Sequence, residues 1–187
     1  MQQGTLMQDQ CKGDPFALLV DIERRSRANA AGLPRQTEVK GVWVGIGFRL
    51  GAIHLLAPLG EVSEILTYPD LARVPMAKPW VRGIANVRGN LLPIMDLQGY
   101  LGGPLMPLGR SSRVLVVQYQ GVFAGLLVDE VLGLKHFLKE EQSSALPEVE
   151  AALRPYLSYA FRKEEEHWVV FSMYSLAETP QFLQVAV

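Results

Sequence analysis

Residues 81–97 read VRGIANVRGNLLPIMDL. Two short apolar runs flank a repeated Val-Arg-Gly, so Arg82 and Arg88 each precede a glycine. Runs of this length, rich in Val, Ile and Leu and punctuated by Gly, are strands joined by a tight turn. Gly89-Asn90 is the expected two-residue tip, because both residues tolerate positive φ. The second strand runs through LLPIMDL and closes at Asp96. No metal-ligand cluster or nucleophile–base pair lies nearby. The segment offers a rigid β-scaffold with an arginine held beside its turn, which suits a recognition surface.

Outward from this hairpin the chain shows a faint internal repeat. VWVGIGFRLGAIHLLAPLGEVSEIL (42–66) and VLVVQYQGVFAGLLVDEVLGL (114–134) both read strand, turn at a glycine (Gly51, Gly121), strand, then an acidic-apolar tail. KPWVRGIANVRGNLLPIMDL (78–97) compares in the same way with RPYLSYAFRKEEEHWVVFSMYSL (154–176). Both open with basic-Pro-aromatic and close on an apolar strand. The copies lie roughly 70–76 residues apart, a period that means two similar β-lobes rather than a solenoid of three or more units. Tyr159 stands where Gly83 stands in the first copy, and Glu164 where Arg88 stands. The fold is repeated while the Arg-Gly feature is not, which places recognition on the first hairpin. Short strands with turn signals between them indicate an all-β sandwich or barrel. Residues 98–112 are rich in Gly and Pro and read as a loop between the lobes. A short helix is expected in 148–157 before the last hairpin, and a terminal helix or tail after HWVVFSM.

Composition narrows the function classes. The 187 residues are one domain's worth of chain, and 49% of them are hydrophobic. The net charge of −1, from 18 basic and 19 acidic residues, argues against electrostatic binding to nucleic acid or to an anionic membrane. The lone Cys11 rules out an intramolecular disulfide and fits a reducing cytoplasm. MQQGTLMQDQ carries neither the basic nor the apolar region of a signal peptide. Residues 114–134 are interrupted by Gln118, Gln120, Asp129 and Glu130, whereas a spanning helix needs about 20 nearly unbroken apolar residues. Near the N-terminus, Asp14-Pro15 is a helix start and Gly32 and Pro34 are stop signals. Phe16, Leu19 and Ile22 make an apolar stripe between them, so a short amphipathic helix is expected near 15–31, packed on the body of the domain or serving as a partner-binding arm.

Catalytic signals are poor. His54, His136 and His167 are far apart and have no metal-type spacing with Cys11. There is no Gly-x-Ser-x-Gly elbow and no Walker loop. GIGFRL (45–50) lacks the third glycine of a dinucleotide fingerprint and sits in a strand pattern. Asp129 and Glu130 are adjacent, so on a strand they face opposite ways and cannot share a substrate. No catalytic residue, metal site or cofactor is expected.

The hairpin resembles the CheW-like domain, the scaffold of bacterial chemosensory arrays, whose pattern runs roughly V-x-G-hydrophobic-x-N-hydrophobic-R-G followed by a strand ending hydrophobic-D-L. Val81, Gly83, Ile84, Asn86, Val87, Arg88, Gly89, Pro93, Ile94, Asp96 and Leu97 carry the match. EVSEIL (61–66) upstream and GLLVDEVLGL (125–134) downstream extend it, over roughly residues 42–178. The long N-terminal segment, GIGFRLG and the C-terminal stretch resemble most the branch of the family assigned to pilus-based twitching motility.

The resemblance implies an all-β fold with a few short helices, two similar small five-stranded β-barrels packed side by side. It divides the chain into an N-terminal extension (1–40), the CheW-like domain (41–178) and a C-terminal tail (179–187). It implies a non-catalytic cytoplasmic adaptor at membrane-associated receptor arrays, coupling methyl-accepting chemoreceptor tips to a CheA-type histidine kinase, and leaves a weak ring or array oligomer open. Val62, Glu64, Asn86 and Arg88 are the implied protein-binding residues. From the residues alone, Arg88 is equally a solvated arginine or half of an internal salt bridge, Glu64 a solvated glutamate and Val62 a core valine. Gly83, Gly89 and Gly125 read as structural, serving turn geometry or close backbone approach. The other readings are a coupling protein for swimming, and a small β-barrel ligand-binding protein or enzyme, which a deep pocket with converging carboxylates or histidines would favour.

Overall fold

The run VWVGIGFRL forms strand β1 (Val42–Leu50), and its alternation sorts side chains onto two faces. Ile46, Phe48 and Leu50 enter the main core. Trp43 faces the other way, against Gly45. A Cβ on Gly45 would lie 2.4 Å from the Trp43 ring, and one on Gly47 would lie 3.0 Å from Trp168. The Gly-x-Gly of this strand therefore makes room for indoles rather than for a phosphate.

The computed structural model describes Phe16, Leu19, Val20, Ile22, Glu23 and Arg25, then residues 41–163 and 166–186. The chain divides into two units, Met1–Val39 and Lys40–Val187. In the first, the six described residues are helical, and Phe16, Leu19 and Ile22 are exposed. The expectations for 1–13, Asp14-Pro15, Gly32 and Pro34 lie outside the described residues.

The second unit is mainly β. After β1 come β2 (Ile53–Pro58), β3 (Glu64–Thr67), β4 (Val81–Val87), β5 (Asn90–Asp96), β6 (Arg113–Tyr119), β7 (Val122–Val128), β8 (Glu130–Leu138), β9 (Gln142–Ser143), β10 (Leu157–Lys163) and β11 (Glu166–Phe171). Short helices α1 (Leu97–Tyr100), α2 (Met173–Ala177) and α3 (Pro180–Leu183) follow β5 and β11. The strands make two curled sheets, one in the order β8-β1-β2-β11-β10-β9 and one in the order β3-β6-β7-β5-β4. The first is five strands plus the two-residue β9, the second five strands, so the expected pair of small β-lobes is present.

The repeat is present too, but its halves exchange strands. β3 leaves the β1–β2 hairpin and pairs with β6, while β8 leaves the β6–β7 hairpin and pairs with β1. Each sheet holds one hairpin from each half, joined by a parallel pair: β2 with β11, and β5 with β7. The helices obey the repeat as well. Asp96 caps α1 by accepting from the Gly99 amide, and Ser172 caps α2 by accepting from Ser175.

Two local readings are corrected by this topology. Residues 98–112 join β5 to β6 within one sheet, so they do not bridge the lobes, and they begin in α1. The helix expected in 148–157 contracts to a 3-10 turn at Arg154–Tyr156, because Pro155 removes a backbone donor there.

One core serves both sheets: Phe48, Leu55 and Phe171 from the first meet Leu92, Ile94 and Leu127 from the second. Leu56, Phe137, Phe161, Trp168 and Val170 form a separate cluster on the opposite face of the six-stranded sheet, with Phe137 and Phe161 stacked at 4.7 Å. Each fully buried aliphatic or phenyl side chain contributes about 1.5–3 kcal/mol. Two cores of this kind hold the hairpins as fixed platforms.

Candidate functional site

The β4–β5 hairpin turns at Arg88-Gly89, one residue before the expected Gly89-Asn90. The pairing of Val87 with Asn90 leaves those two residues as the loop. Both take positive φ, +51° at Arg88 and +86° at Gly89. That is the backbone of a tight hairpin turn matching strand twist. Asn86 decides the register: its Oδ1 accepts from the Gly89 amide at 2.9 Å and fastens the turn. An arginine in the left-handed region costs about 1–2 kcal/mol relative to an ordinary conformation. Glycine would sit there without strain, so the tip holds an arginine where the backbone alone favours another residue.

Arg88 projects from the tip with its side chain 77% exposed, and its Nη2 donates to Glu64 Oε1 at 2.5 Å. Glu64 opens β3, at the opposite end of the sheet order from β4. The sheet curls until its two ends meet at this ion pair. Ile65 and Leu91, neighbours of the pair along β3 and β5, are exposed apolar side chains. The surface thus combines a planar cation, a carboxylate and two apolar groups, a mixture suited to protein contact.

The residues read from the sequence fall into two groups here. Arg88, Glu64 and Asn86 come together at the hairpin tip, with Asn86 exposed but occupied in holding the turn. Val62 does not join them as a surface group. It is 9% exposed and lies in the main core, where it anchors the segment that presents Glu64. Gly89 has open space around its Cα, so it serves the turn through its φ. Gly83 follows a bulge at Arg82 and has φ +148°; a Cβ there would lie 2.6 Å from the Ala72 carbonyl oxygen. A Cβ on Gly125 would lie 2.6 Å from both Ile94 and Val114, so this glycine admits core side chains and marks no bulge.

A second constellation was missed by sequence reading. The bulge turns Arg82 inward to Asp96, with Nε 3.4 Å from Oδ2, and Asp96 is fully buried. Asp96 accepts from the amides of Gly99 and Met106, at 2.9 and 2.8 Å, while Arg82 Nη2 donates to the Met106 carbonyl oxygen. The pair grips both polar groups of one backbone residue and fixes the loop after α1. An aspartate directly before Leu97 is an N-cap signal that points to the helix, but nothing local in the sequence pairs it with Arg82.

Asp129 and Glu130 differ from expectation in the same way. Asp129 lies between β7 and β8, outside either strand, and accepts from the Gly51 amide at 2.6 Å. Both carboxylates reach Arg49, at 3.8 and 3.6 Å, and together they hold the β1–β2 turn. Among the described residues no three His, Cys, Asp or Glu side chains are grouped to hold a metal ion. Among the same residues no helix is long and apolar enough to cross a membrane.

Comparison with known proteins gives these features a family. The CheW-like domain family matches residues 44–181. The chain is 53% identical over 173 residues to Protein PilI of Pseudomonas aeruginosa, covering 92% of this chain and 97% of that protein. It is 29% identical over 113 residues to the chemotaxis protein CheW of Helicobacter pylori, covering 60% of this chain and 68% of the other. Its fold is similar to the crystal structure of the scaffolding protein TtCheW from Thermoanaerobacter tengcongensis, with TM-score 0.64 at 20% identity, over 74% of this chain and 94% of that one. The chain belongs to the CheW-like domain family.

Proposed function

We propose that this chain is a non-catalytic adaptor of a chemosensory array, coupling methyl-accepting chemoreceptors to a CheA-type histidine kinase in a pathway controlling type IV pilus twitching. The observation that carries this reading is Arg88. The hairpin holds it in a strained turn, largely exposed and, among the described residues, paired to an edge-strand glutamate. Strain of this kind persists where the surrounding structure over-determines it, and it concentrates at binding and switch positions. The likeness to Protein PilI favours the pilus system over a swimming system, and the likeness to CheW proteins favours an adaptor over an enzyme or a ligand-binding barrel.

The mechanism is positional. One face takes the receptor tip and another takes the kinase, which raises the effective concentration of one partner at the other. Receptor state then shifts the population of kinase conformations through the shared scaffold. The adaptor needs no cofactor for this, binds no nucleic acid and inserts in no membrane. Its place is the cytoplasm beneath membrane-bound receptor arrays, as a monomer or a weak ring-forming oligomer. Residues 1–40 form an extension outside the adaptor domain, which spans 41–178, and 179–187 form its C-terminal tail. Val62, Glu64, Asn86 and Arg88 build the contact region, Val62 and Asn86 by holding the surface that Glu64 and Arg88 present. Gly83 and Gly89 shape its backbone, and Gly125 admits core side chains in the interior of the same sheet.

The test is reconstitution. Purified protein is titrated with a CheA-type kinase and with a receptor cytoplasmic fragment, and kinase activity is followed in membranes carrying the receptor. Binding of both partners, with receptor-dependent kinase activation that requires this chain, is the expected result. Binding of neither overturns the reading.

A further inference from the structure

The C-terminal residues do more than trail from the domain. The chain leaves β11 through α2, turns at Pro180 and passes from the six-stranded sheet to the base of the other sheet's hairpin. There Phe182 is 2% exposed, stacked on Trp80 at 6.1 Å and edge-on to Tyr100 at 5.3 Å. Trp80 immediately precedes β4, and Tyr100 ends the helix that follows β5. These two rings are thus the two feet of the hairpin whose tip carries Arg88. Beyond Phe182, the Lys78 amide donates to the Val185 carbonyl oxygen at 3.0 Å, and Ala186 bridges Ala77. The feet are tied to each other as well, since the Asp96 amide donates to the Trp80 carbonyl oxygen at 2.8 Å.

The segment has little local support of its own. Its helix is four residues long, with no side-chain cap, and Leu183 beside the anchor is 51% exposed. A cleft lined by Trp80, Tyr100, Tyr156 and Gln181 runs alongside it, so solvent reaches the socket's flank. Phe182 and the partly buried Val185 seat the segment on the core, and a short pairing with 77–78 and local turn hydrogen bonds complete its ties. With fewer ties than the strands it covers, it opens more readily than they do. The anchor lies one residue beyond the stretch, 44–181, that the CheW-like domain family matches.

We propose that Thr179–Ala186 is a strap that holds the Arg88 hairpin in its partner-binding position, with Phe182 as the positioning residue. The proposal rests on the adaptor reading, since it assigns the strap to the same surface. Phe182 touches no partner; it acts through Trp80 and Tyr100. When Phe182 is seated, the feet of β4 and β5 are locked and the tip is presented at a fixed angle. When it leaves, the feet loosen at Trp80 and Tyr100 and the tip is no longer held at one angle, while the core pairing of β5 with β7 persists.

The experiment compares Phe182→Ala with Leu183→Ala by hydrogen exchange and by titration with the CheA-type kinase and the receptor fragment. Phe182→Ala is expected to speed exchange across residues 78–100 by about tenfold or more while β1 and β2 stay within about twofold of wild type. Affinity for at least one partner falls by about tenfold in the same variant, and Leu183→Ala changes neither readout. If Phe182→Ala does not fold, Phe182→Leu is read in the same way. Uniformly faster exchange in both sheets, or local loosening with unchanged partner affinity, overturns the strap. Wild-type protein that binds neither partner overturns the adaptor reading instead, so the two failures are distinguishable.

Discussion

Arg88 and Glu64 join the two ends of the five-stranded sheet, with Nη2 2.5 Å from Oε1. An exposed pair of this kind contributes about 0–1 kcal/mol, because water screens it and two long side chains must be ordered. It can therefore be opened by a partner at small cost. A partner carboxylate can take Arg88, or a partner cation Glu64, without the sheet coming apart.

Charge reversal separates the internal role from the external one. Arg88→Glu sets two carboxylates against each other and is expected to lower stability by about 1 kcal/mol or less. Binding is expected to fall by about 2–5 kcal/mol if the arginine meets a buried partner charge. The double variant Arg88→Glu with Glu64→Arg rebuilds the internal pair with reversed sense. Thermal denaturation should then return to the wild-type value while binding stays lost. Full recovery of binding in the double variant would show that Arg88 acts only through Glu64.

Arg82 looks like a twin of Arg88 in the sequence, and its chemistry is opposite. It is half of a buried pair whose other half, Asp96, is fully buried and fastens the loop after α1. Removing one member of such a pair costs about 3–5 kcal/mol, since the remaining charge is left buried without compensation. Arg82→Glu should accordingly lower stability severely, and Arg82→Met less so than the charge reversal. Urea denaturation checks both. A change for Arg82→Glu as small as that for Arg88→Glu would contradict the clamp.

Much of this was legible in the sequence, and what was not has identifiable causes. Gly51, Gly89 and Gln120-Gly121 mark hairpins because tight turns demand positive φ, and Gly51, Arg88, Gly89, Gln120 and Gly121 adopt it. The hairpin tip was misplaced by one residue because Gly89-Asn90 meets that demand without strain, whereas Arg88-Gly89 meets it only with a strained arginine. The choice is made by the Asn86 side chain, a contact no propensity contains. The exchange of β3 and β8 between sheets was hidden for a related reason. Strand patterns say which residues face inward, not which strand lies alongside. Arg88 and Glu64 were each visible as candidates, but their meeting depends on the curl of the whole sheet. Phe182 stood in a stretch without period, and only the socket of Trp80 and Tyr100 gives it a role.

Gly125 offers a clean test of packing. Its neighbours on three sides are Ile94, Val114 and Leu92, and no positive φ is required of it. Gly125→Ala puts a methyl 2.6 Å from two branched side chains, which must move. Overpacking a dense core costs about 1–3 kcal/mol. The variant should melt at lower temperature and leave the Arg88 tip able to bind, since the strain sits in the sheet interior. A stabilised variant would mean that the core has slack at this point.

Tyr100 makes stability depend on alkaline pH. Its hydroxyl lies 2.9 Å from that of Tyr156. Burial, then the hydrogen bond and charge of Tyr156, push Tyr100 above the usual tyrosine range. Because the folded value exceeds the unfolded one, the stabilisation is fully present below about pH 10, where the unfolded tyrosine is still protonated. Above that pH the unfolded chain releases a proton that the folded protein retains, so stability falls as pH rises. Denaturation midpoints followed upward from about pH 8 should therefore decline past about pH 10, and Tyr100→Phe should flatten the decline. Tyr119 is the control. Its hydroxyl is also raised, chiefly by the hydrogen bond to Glu178, but it is open to solvent. Tyr119→Phe should leave most of the alkaline slope in place, because an exposed interaction is screened. An alkaline slope unchanged in Tyr100→Phe would place the sensitivity elsewhere in the molecule.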